Sequence, residues 1–243
     1  MKENKNIYFL SDFHLGSPDF NSSKKREKKI ILFLEEIKEK AEEIYLMGDI
    51  FDFWFEYKKV IPKGFVRFLG KLAEISDSGI KIFFFPGNHD MWVKEYLNKE
   101  IGLIICKNNT IKKINNKLFF LGHGDGINKK EKTYIFLKRI FKNKICQKIF
   151  YCIHPDLGIS IAKFFSQKSR NKNKTKKSND KDLIEYCKKI KKNTKIDYFI
   201  FGHKHYPKQE TIDKESIYIN LGDWVKNYSY VIFNGKKLEI KKY

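Results

Sequence analysis

Three short apolar runs, IYFL (7–10), IYLM (44–47) and IFFF (82–85), are each bounded by Gly, Asp or Pro and separated by stretches with helical spacing. Four consecutive apolar residues without polar alternation suit a strand covered on both faces, the environment of a parallel sheet. Between them, Lys24 to Ala41 gathers Ile30, Phe33, Leu34 and Ile37 on one helical face, and Pro62 to Ser76 does so with Phe65, Phe68, Leu69 and Leu72. Strand, helix, strand, helix, strand predicts right-handed crossovers and an α/β fold. Residues 110–125 predict a hairpin turning at Asn115 and Asn116. Near the end, IDYFIF (196–201) reads as another strand, followed by β-segments near 208–213, 216–221, 228–233 and 237–242, with Asn234-Gly235 as a two-residue turn.

Residues 127 to about 165 break this rhythm. Tyr134, Leu137, Phe141, Ile145 and Ile149 fall at helical spacing, and LGISIAKFF (157–165) offers a shorter apolar helix. The stretch 166–181 is polar and lysine-rich without aromatics, and reads as a loop or a disordered segment. A helix is expected from about Asp180 to Lys192.

Composition limits the partners. No apolar run approaches the roughly 18 residues of a membrane span, and the start has only IYFL where a signal peptide needs a longer stretch, so an unexported, soluble chain is expected. Cys106, Cys146, Cys152 and Cys187 show no CxxC spacing, which suits reduced thiols inside a cell. The net charge of +21 invites a nucleic-acid reading, yet among 50 basic residues only Arg26, Arg67, Arg139 and Arg170 are arginine. Selection for bidentate phosphate or base contacts favours arginine. A lysine excess accompanied by Asn, Ile and Phe reads instead as the imprint of an AT-rich genome, and no specific nucleic-acid partner is expected.

The chemistry-bearing residues stand where strands stop. SDFH supplies Asp12 and His14, MGDIFD supplies Asp49 and Asp52, PGNHD supplies Asn88, His89 and Asp90, GHGD supplies His123 and Asp125, and GHKH supplies His203 and His205. In an open α/β sheet these ends converge on one crevice. Carboxylate, amide and imidazole donors without thiolate suit Mn, Fe, Zn or Mg. These groups outnumber the three or four ligands of one zinc site, so two ions sharing a carboxylate fit better. His154, before Pro155, stands outside the set and reads as structural. Asp52 and Asp90 read equally well as partners orienting imidazoles or as caps.

D-x-H, G-D-x-x-D, G-N-H-D, a lone His and G-H-x-H, in that order over residues 7 to 223, resemble the calcineurin-like metallophosphoesterases. The resemblance implies a four-layer αββα sandwich of two mixed sheets, a single domain over 1–243 with a helical lid inserted at 127–180. It implies Asp12, His14, Asp49 and His205 around one divalent ion and Asp49, Asn88, His123 and His203 around a second, Mn²⁺ being the expected metal, with His89 beside them assisting catalysis. Such a pair activates a water and clamps a phosphoryl group.

Within that family SDFHLG, GDIFDFWFEY, GNHDMW, GHGDG, HPDLG and INLGDW resemble the UDP-2,3-diacylglucosamine hydrolases of lipid A synthesis, in their Bacteroidetes-type form. This closer resemblance implies an acylated UDP-sugar substrate, a monomer placed peripherally on the cytoplasmic face of the inner membrane, and substrate contacts from Asn88, His89, Glu131, Tyr134, Ser169, Arg170 and His203. Where the proteobacterial enzymes carry Arg, this chain has His89, a titratable group in place of a fixed charge. The amphipathic insertion fits a substrate with acyl chains, its lysines staying near headgroups, while packing against the core is the other reading of the same stripe. Trp54, Phe55 and Tyr57 either line that groove or, Trp54 above all, fill the core. A nuclease or nucleotide phosphodiesterase on the same scaffold is the alternative activity.

Overall fold

In the computed structural model, residues 5–128, 132–173 and 180–243 are described, with backbone alone at 163 and 167–173. The strands are β1 (Asn6–Leu10), β2 (Ala41–Leu46), β3 (Lys81–Phe84), β4 (Ile104–Ile105), β5 (Thr110–Ile114), β6 (Lys117–Leu121), β7 (Tyr198–Phe201), β8 (Pro207–Asp213), β9 (Ser216–Leu221), β10 (Ser229–Phe233) and β11 (Leu238–Lys242). The helices are α1 (Phe20–Lys38), α2 (Val66–Asp77), α3 (Tyr96–Lys99), α4 (Lys132–Lys142), α5 (Lys144–Tyr151), α6 (Pro155–Asn173) and α7 (Lys181–Lys191).

They form two mixed sheets, one ordered β11-β10-β1-β2-β3-β4 and one ordered β5-β6-β7-β9-β8. β1, β2 and β3 run parallel, as do β6, β7 and β9. Period-two alternation along β1 divides its apolar run: Ile7 and Phe9 enter the core between the sheets, while Tyr8 and Leu10 pack under α1 against Phe33 and its neighbours. The same inter-sheet core takes Tyr45, Phe119, Ile200 and Phe233. Beyond the second sheet, Phe120, Phe199 and Tyr218 meet Leu183 and Cys187 of α7. Helices, sheet, sheet and helix are the four layers.

Asn115 and Asn116 turn the hairpin with φ of 45° and 63°. At the later turn the pair Asn234 and Lys237 closes the loop, so Gly235 and Lys236 are its central residues, one step beyond the expected pair. Asn234 Oδ1 accepts from the N–H groups of Lys236 and Lys237, which ties its side chain to the turn.

Two expectations for the insertion are corrected. The apolar stripe from Tyr134 to Ile149 is two helices, because Asn143 leaves helical geometry and its side chain caps α5 by accepting from Ile145 and Cys146. Residues 166–173, expected as loop, continue α6. No Pro or Gly interrupts them, and their Gln, Lys and Arg are good helix formers. The insertion is fastened to the loops after β2 and β3. Trp92 Nε1 donates to the Phe141 carbonyl at 2.7 Å, and the Phe55 ring meets Phe150 and Tyr151 at centroid distances of 4.7 and 4.9 Å. Trp54 and Phe55 are fully buried, which assigns both to the core, and Tyr57 is half-buried.

Candidate metal centre

Strand ends deliver the site. Asp12 and His14 follow β1, Asp49 follows β2, Asn88 and His89 follow β3, His123 follows β6, and His203 and His205 follow β7. Five of these residues, Asp12, His14, Asp49, His203 and His205, themselves hold positive φ, between 45° and 69°. Non-glycine residues seldom adopt that geometry, and here it turns each side chain back over the strand end. The neighbouring glycines act differently from one another. Gly48 has φ of +95°, a true turn position. Gly87 and Gly202 are needed for space: an added Cβ would lie 2.6 Å from the Asp49 nitrogen at Gly87 and 2.6 Å from Asp12 Oδ2 at Gly202.

Each buried carboxylate has one oxygen held by hydrogen bonds and the other turned toward imidazoles. Asp12 Oδ2 accepts from Ser11 Oγ at 2.5 Å and from the His203 N–H at 3.0 Å. Its Oδ1 has no hydrogen-bond partner, and faces His205 Nε2 at 3.3 Å and His14 Nε2 at 3.7 Å. Asp49 Oδ1 accepts the His89 N–H at 2.9 Å. Its Oδ2 lies 3.3 Å from His123 Nε2 and 3.8 Å from His14 Nε2, between the two sets of imidazoles. His123 donates from Nδ1 to the Met47 carbonyl at 2.8 Å, so Nε2 is the nitrogen left to face Asp49 and, once deprotonated, to offer a lone pair to an ion, and it too has no partner. Ligand atoms of Asp12, His14, Asp49 and His205 lie within 4.8 Å of one another, and so do those of Asp49, His123 and His203. Asn88 Oδ1 joins the second set, 3.0 Å from His203 Nδ1.

Lone pairs facing lone pairs in a buried crevice require positive charge between them. Asp12 and Asp49 are 0% and 1% exposed. Burial alone would raise both acids, yet the imidazoles hold Asp12 at about 2 and Asp49 well below the carboxylate range. Burial lowers His123, but the Asp49 and Asp12 carboxylates lift it to about 10, while burial and the His123 charge bring His203 down to about 3. The carboxylates' pull draws a second proton onto His123 Nε2, one that a bound ion would displace, so the proton stands in for part of the positive charge the donors demand. The orphaned Asp12 Oδ1 and His123 Nε2, with Asp49 Oδ2 between the two groups and a set of carboxylate, amide and imidazole donors, fit a pair of divalent ions sharing Asp49.

The remaining predicted residues divide. His89 is nearly buried, its Nδ1 3.0 Å from the Asp52 carbonyl. Asp52 Oδ1 stands 3.6 Å from His14 Nδ1 and 3.7 Å from His89 Nδ1, so it faces two imidazoles. Asp90 does not orient an imidazole: it accepts the backbone N–H groups of Gly87, Ile50 and Phe51, pinning the loops after β2 and β3 together. Burial and the Asp49 charge push it up to about 7. Tyr134 donates its hydroxyl to Asp125 Oδ2, which also takes Lys138. Ser169 and Arg170 fall on α6, and Glu131 lies outside the described residues. His154 is exposed at the start of α6.

Sequence reasoning missed four contributors. Arg26 Nη2 reaches back from α1 to the His14 and Ser17 carbonyls and holds the β1–α1 loop. Asp223 Oδ2 stands 3.4 Å from His205 Nδ1, and Ser11 tethers Asp12. Ser166 of α6 reaches Asp52 and His89. The signal for Asp223 was its place in INLGDW after β9, and for Ser11 its place at the head of SDFH after β1; none marks Arg26 or Ser166.

The model of the calcineurin-like phosphoesterases matches residues 5–207. The chain belongs to this family. The phosphoesterase is 37% identical to the UDP-2,3-diacylglucosamine hydrolase of Porphyromonas gingivalis, across 97% of this chain and 96% of that protein. It is 30% identical to the enzyme of that name from Wigglesworthia glossinidia brevipalpis, over 97% and 93% of the two chains, and 27% identical to the one from Haemophilus influenzae, over 94% of each. The phosphoesterase is therefore a metal-dependent hydrolase of the UDP-2,3-diacylglucosamine hydrolase group.

Proposed function

We propose that this phosphoesterase hydrolyses the pyrophosphate of UDP-2,3-diacylglucosamine to UMP and 2,3-diacylglucosamine 1-phosphate, working peripherally at the cytoplasmic face of the inner membrane. The observation that carries the reading is the unpartnered Asp12 Oδ1 and His123 Nε2, with Asp49 Oδ2 between the two sets of imidazoles, beside an amphipathic insertion. Asp12, His14, Asp49 and His205 would hold one ion, and Asp49, Asn88, His123 and His203 the other, with Mn²⁺ the proposed metal. When bound, such a pair lowers the pKa of a water and offsets charge on the phosphoryl oxygens.

The chain's own residues set the geometry. The His89 N–H fixes Asp49 so that a single oxygen points to both halves of the site. The Met47 carbonyl fixes the His123 tautomer, and Asp223 steadies His205. Neutral His89, brought down to about 4 by burial against the pull of Asp49, stands beside the crevice to orient the reacting phosphate. The exposed apolar side chains Ile145, Ile149, Leu157, Ile161, Phe164 and Phe165 offer acyl chains and bilayer a common apolar surface. Lys144 and Lys148 flank it and suit anionic headgroups. No helix among the described residues is long and apolar enough to cross a membrane. Tyr134, Ser169, Arg170 and Glu131 are the proposed sugar and phosphate contacts.

The test offers the purified protein, with Mn²⁺ in detergent, UDP-2,3-diacylglucosamine, a UDP-sugar without acyl chains, and single-stranded DNA. Selective UMP release from the acylated compound is expected. Equal turnover of the deacylated sugar refutes the role of the insertion, and turnover of DNA alone assigns the site to a nuclease.

A further inference from the structure

Helix α6 carries a group that meets the centre and that none of the motifs includes. The Ser166 hydroxyl donates to Asp52 Oδ2 at 3.1 Å, and its oxygen stands 3.2 Å from His89 Nδ1. The same Nδ1 is 3.0 Å from the backbone carbonyl of Asp52. A carbonyl oxygen only accepts, so Nδ1 carries the hydrogen and Ser166 Oγ shares it as a second acceptor. His89 therefore keeps its lone pair on Nε2. Its ring is clamped from two sides, by the loop after β2 and by a helix that comes far later in the chain. The two residues before it on α6 stand out from the fold: Phe164 and Phe165 are 62% and 59% exposed. Ser166 is thus the described residue through which α6 makes a polar contact with His89 and Asp52, beside the links that α4 makes to Asp125.

We infer that Ser166 is a positioning residue for hydrolysis, acting through His89: seating of α6 and alignment of the imidazole are one event. A hydroxyl on the insertion makes the orientation of His89 conditional on the insertion being docked, so a substrate that holds the insertion down also sets the ring. A lysine or arginine at 166 could not accept the shared Nδ1–H, because neither has a lone pair to offer. The inference rests on the reading of the centre as a phosphodiester hydrolase site.

The test uses the full chain and a small diester without acyl chains, bis(p-nitrophenyl) phosphate, so that binding of lipid does not enter. Ser166→Ala is expected to lower kcat roughly 5–10-fold, the worth of one hydrogen bond, with KM unchanged, and Ser166→Thr, which keeps the hydroxyl, to restore most of it. In a His89→Ala background Ser166→Ala is expected to cost nothing further. The ring itself gives a readout without turnover. With diamagnetic Mg²⁺ bound, the His89 Nδ1–H resonance is expected to exchange slowly with water in wild type and Ser166→Thr, and faster in Ser166→Ala. Unchanged kcat in Ser166→Ala, the same fold-loss with Ala at 89 as with His, or an exchange rate indifferent to residue 166 each overturns the inference. A wild-type chain that cleaves no diester would fail the hydrolase reading instead, and the exchange measurement would still decide the positioning.

Discussion

Asp49→Asn separates a shared carboxylate from one that merely neighbours the site. The substitution is isosteric, and an amide oxygen at Oδ1 can still accept the His89 N–H, so the loop after β3 keeps its anchor. What changes is the atom at Oδ2, which stands 3.3 Å from His123 Nε2 and 3.8 Å from His14 Nε2. Counting only one of the ion's two charges, at roughly 4 Å and an effective dielectric constant of about 20, the lost unit of charge contributes about 4 kcal/mol. Since each 1.4 kcal/mol is tenfold, the loss is about three decades of affinity at a site. Because one oxygen faces both donor sets, the loss falls on both sites at once. Asp12→Asn removes the same charge from one set only, since Asp12 Oδ1 faces His205 and His14. Metal content by elemental analysis, after dialysis against micromolar Mn²⁺, is the assay. Asp49→Asn is expected to retain neither ion, Asp12→Asn to retain one, and both to unfold cooperatively like the parent chain. If Asp49→Asn keeps one ion at parental affinity, the shared-oxygen argument is wrong.

Gly87→Ala is expected to abolish hydrolysis while leaving secondary structure by circular dichroism unchanged, because its methyl group would displace Asp49, carboxylate and backbone nitrogen both, rather than any core side chain. Stripping metal with a chelator should lower the melting temperature, since Asp12 and Asp49 lose a common counter-charge in a buried crevice; calorimetry showing no shift would mean that protonated His123 already satisfies the donors. His89→Ala should reduce kcat on a small diester roughly a hundredfold, the lower range for an acid, base or orienting group beside a reacting phosphate, with bound metal unchanged. Replacing Ile145 and Ile149 together by Glu, both more than 60% exposed, should weaken flotation with anionic vesicles yet leave turnover of the small diester intact; equal loss of both would tie those residues to the centre itself.

Much of the centre was legible because its signals are local. A short apolar run names a strand, a glycine names its end, and the residues just beyond are carried to the sheet's carboxyl edge whatever the rest of the chain does. Asp12, Asp49, Asn88 and the five imidazoles could therefore be found without coordinates, and so could the two sheets' main strands. The GHKH pair shows where that stops. On a strand its two rings would share a face, but His203 and His205 lie beyond β7 with φ of 69° and 57°, and they diverge to different partners, Asn88 and Asp12.

Reading along the chain establishes which groups stand at strand ends and what ions their chemistry suits, since both follow from spacing and donor type within one short stretch. How the oxygens divide their work emerged from the packing alone: which one of Asp49 is tied to His89, why Asp90 serves backbone amides, and how Arg26, Asp223 and Ser166 arrive from distant elements. Those assignments depend on where separate strands and helices meet, and a hydrogen bond between residues far apart in the chain leaves no periodicity to read.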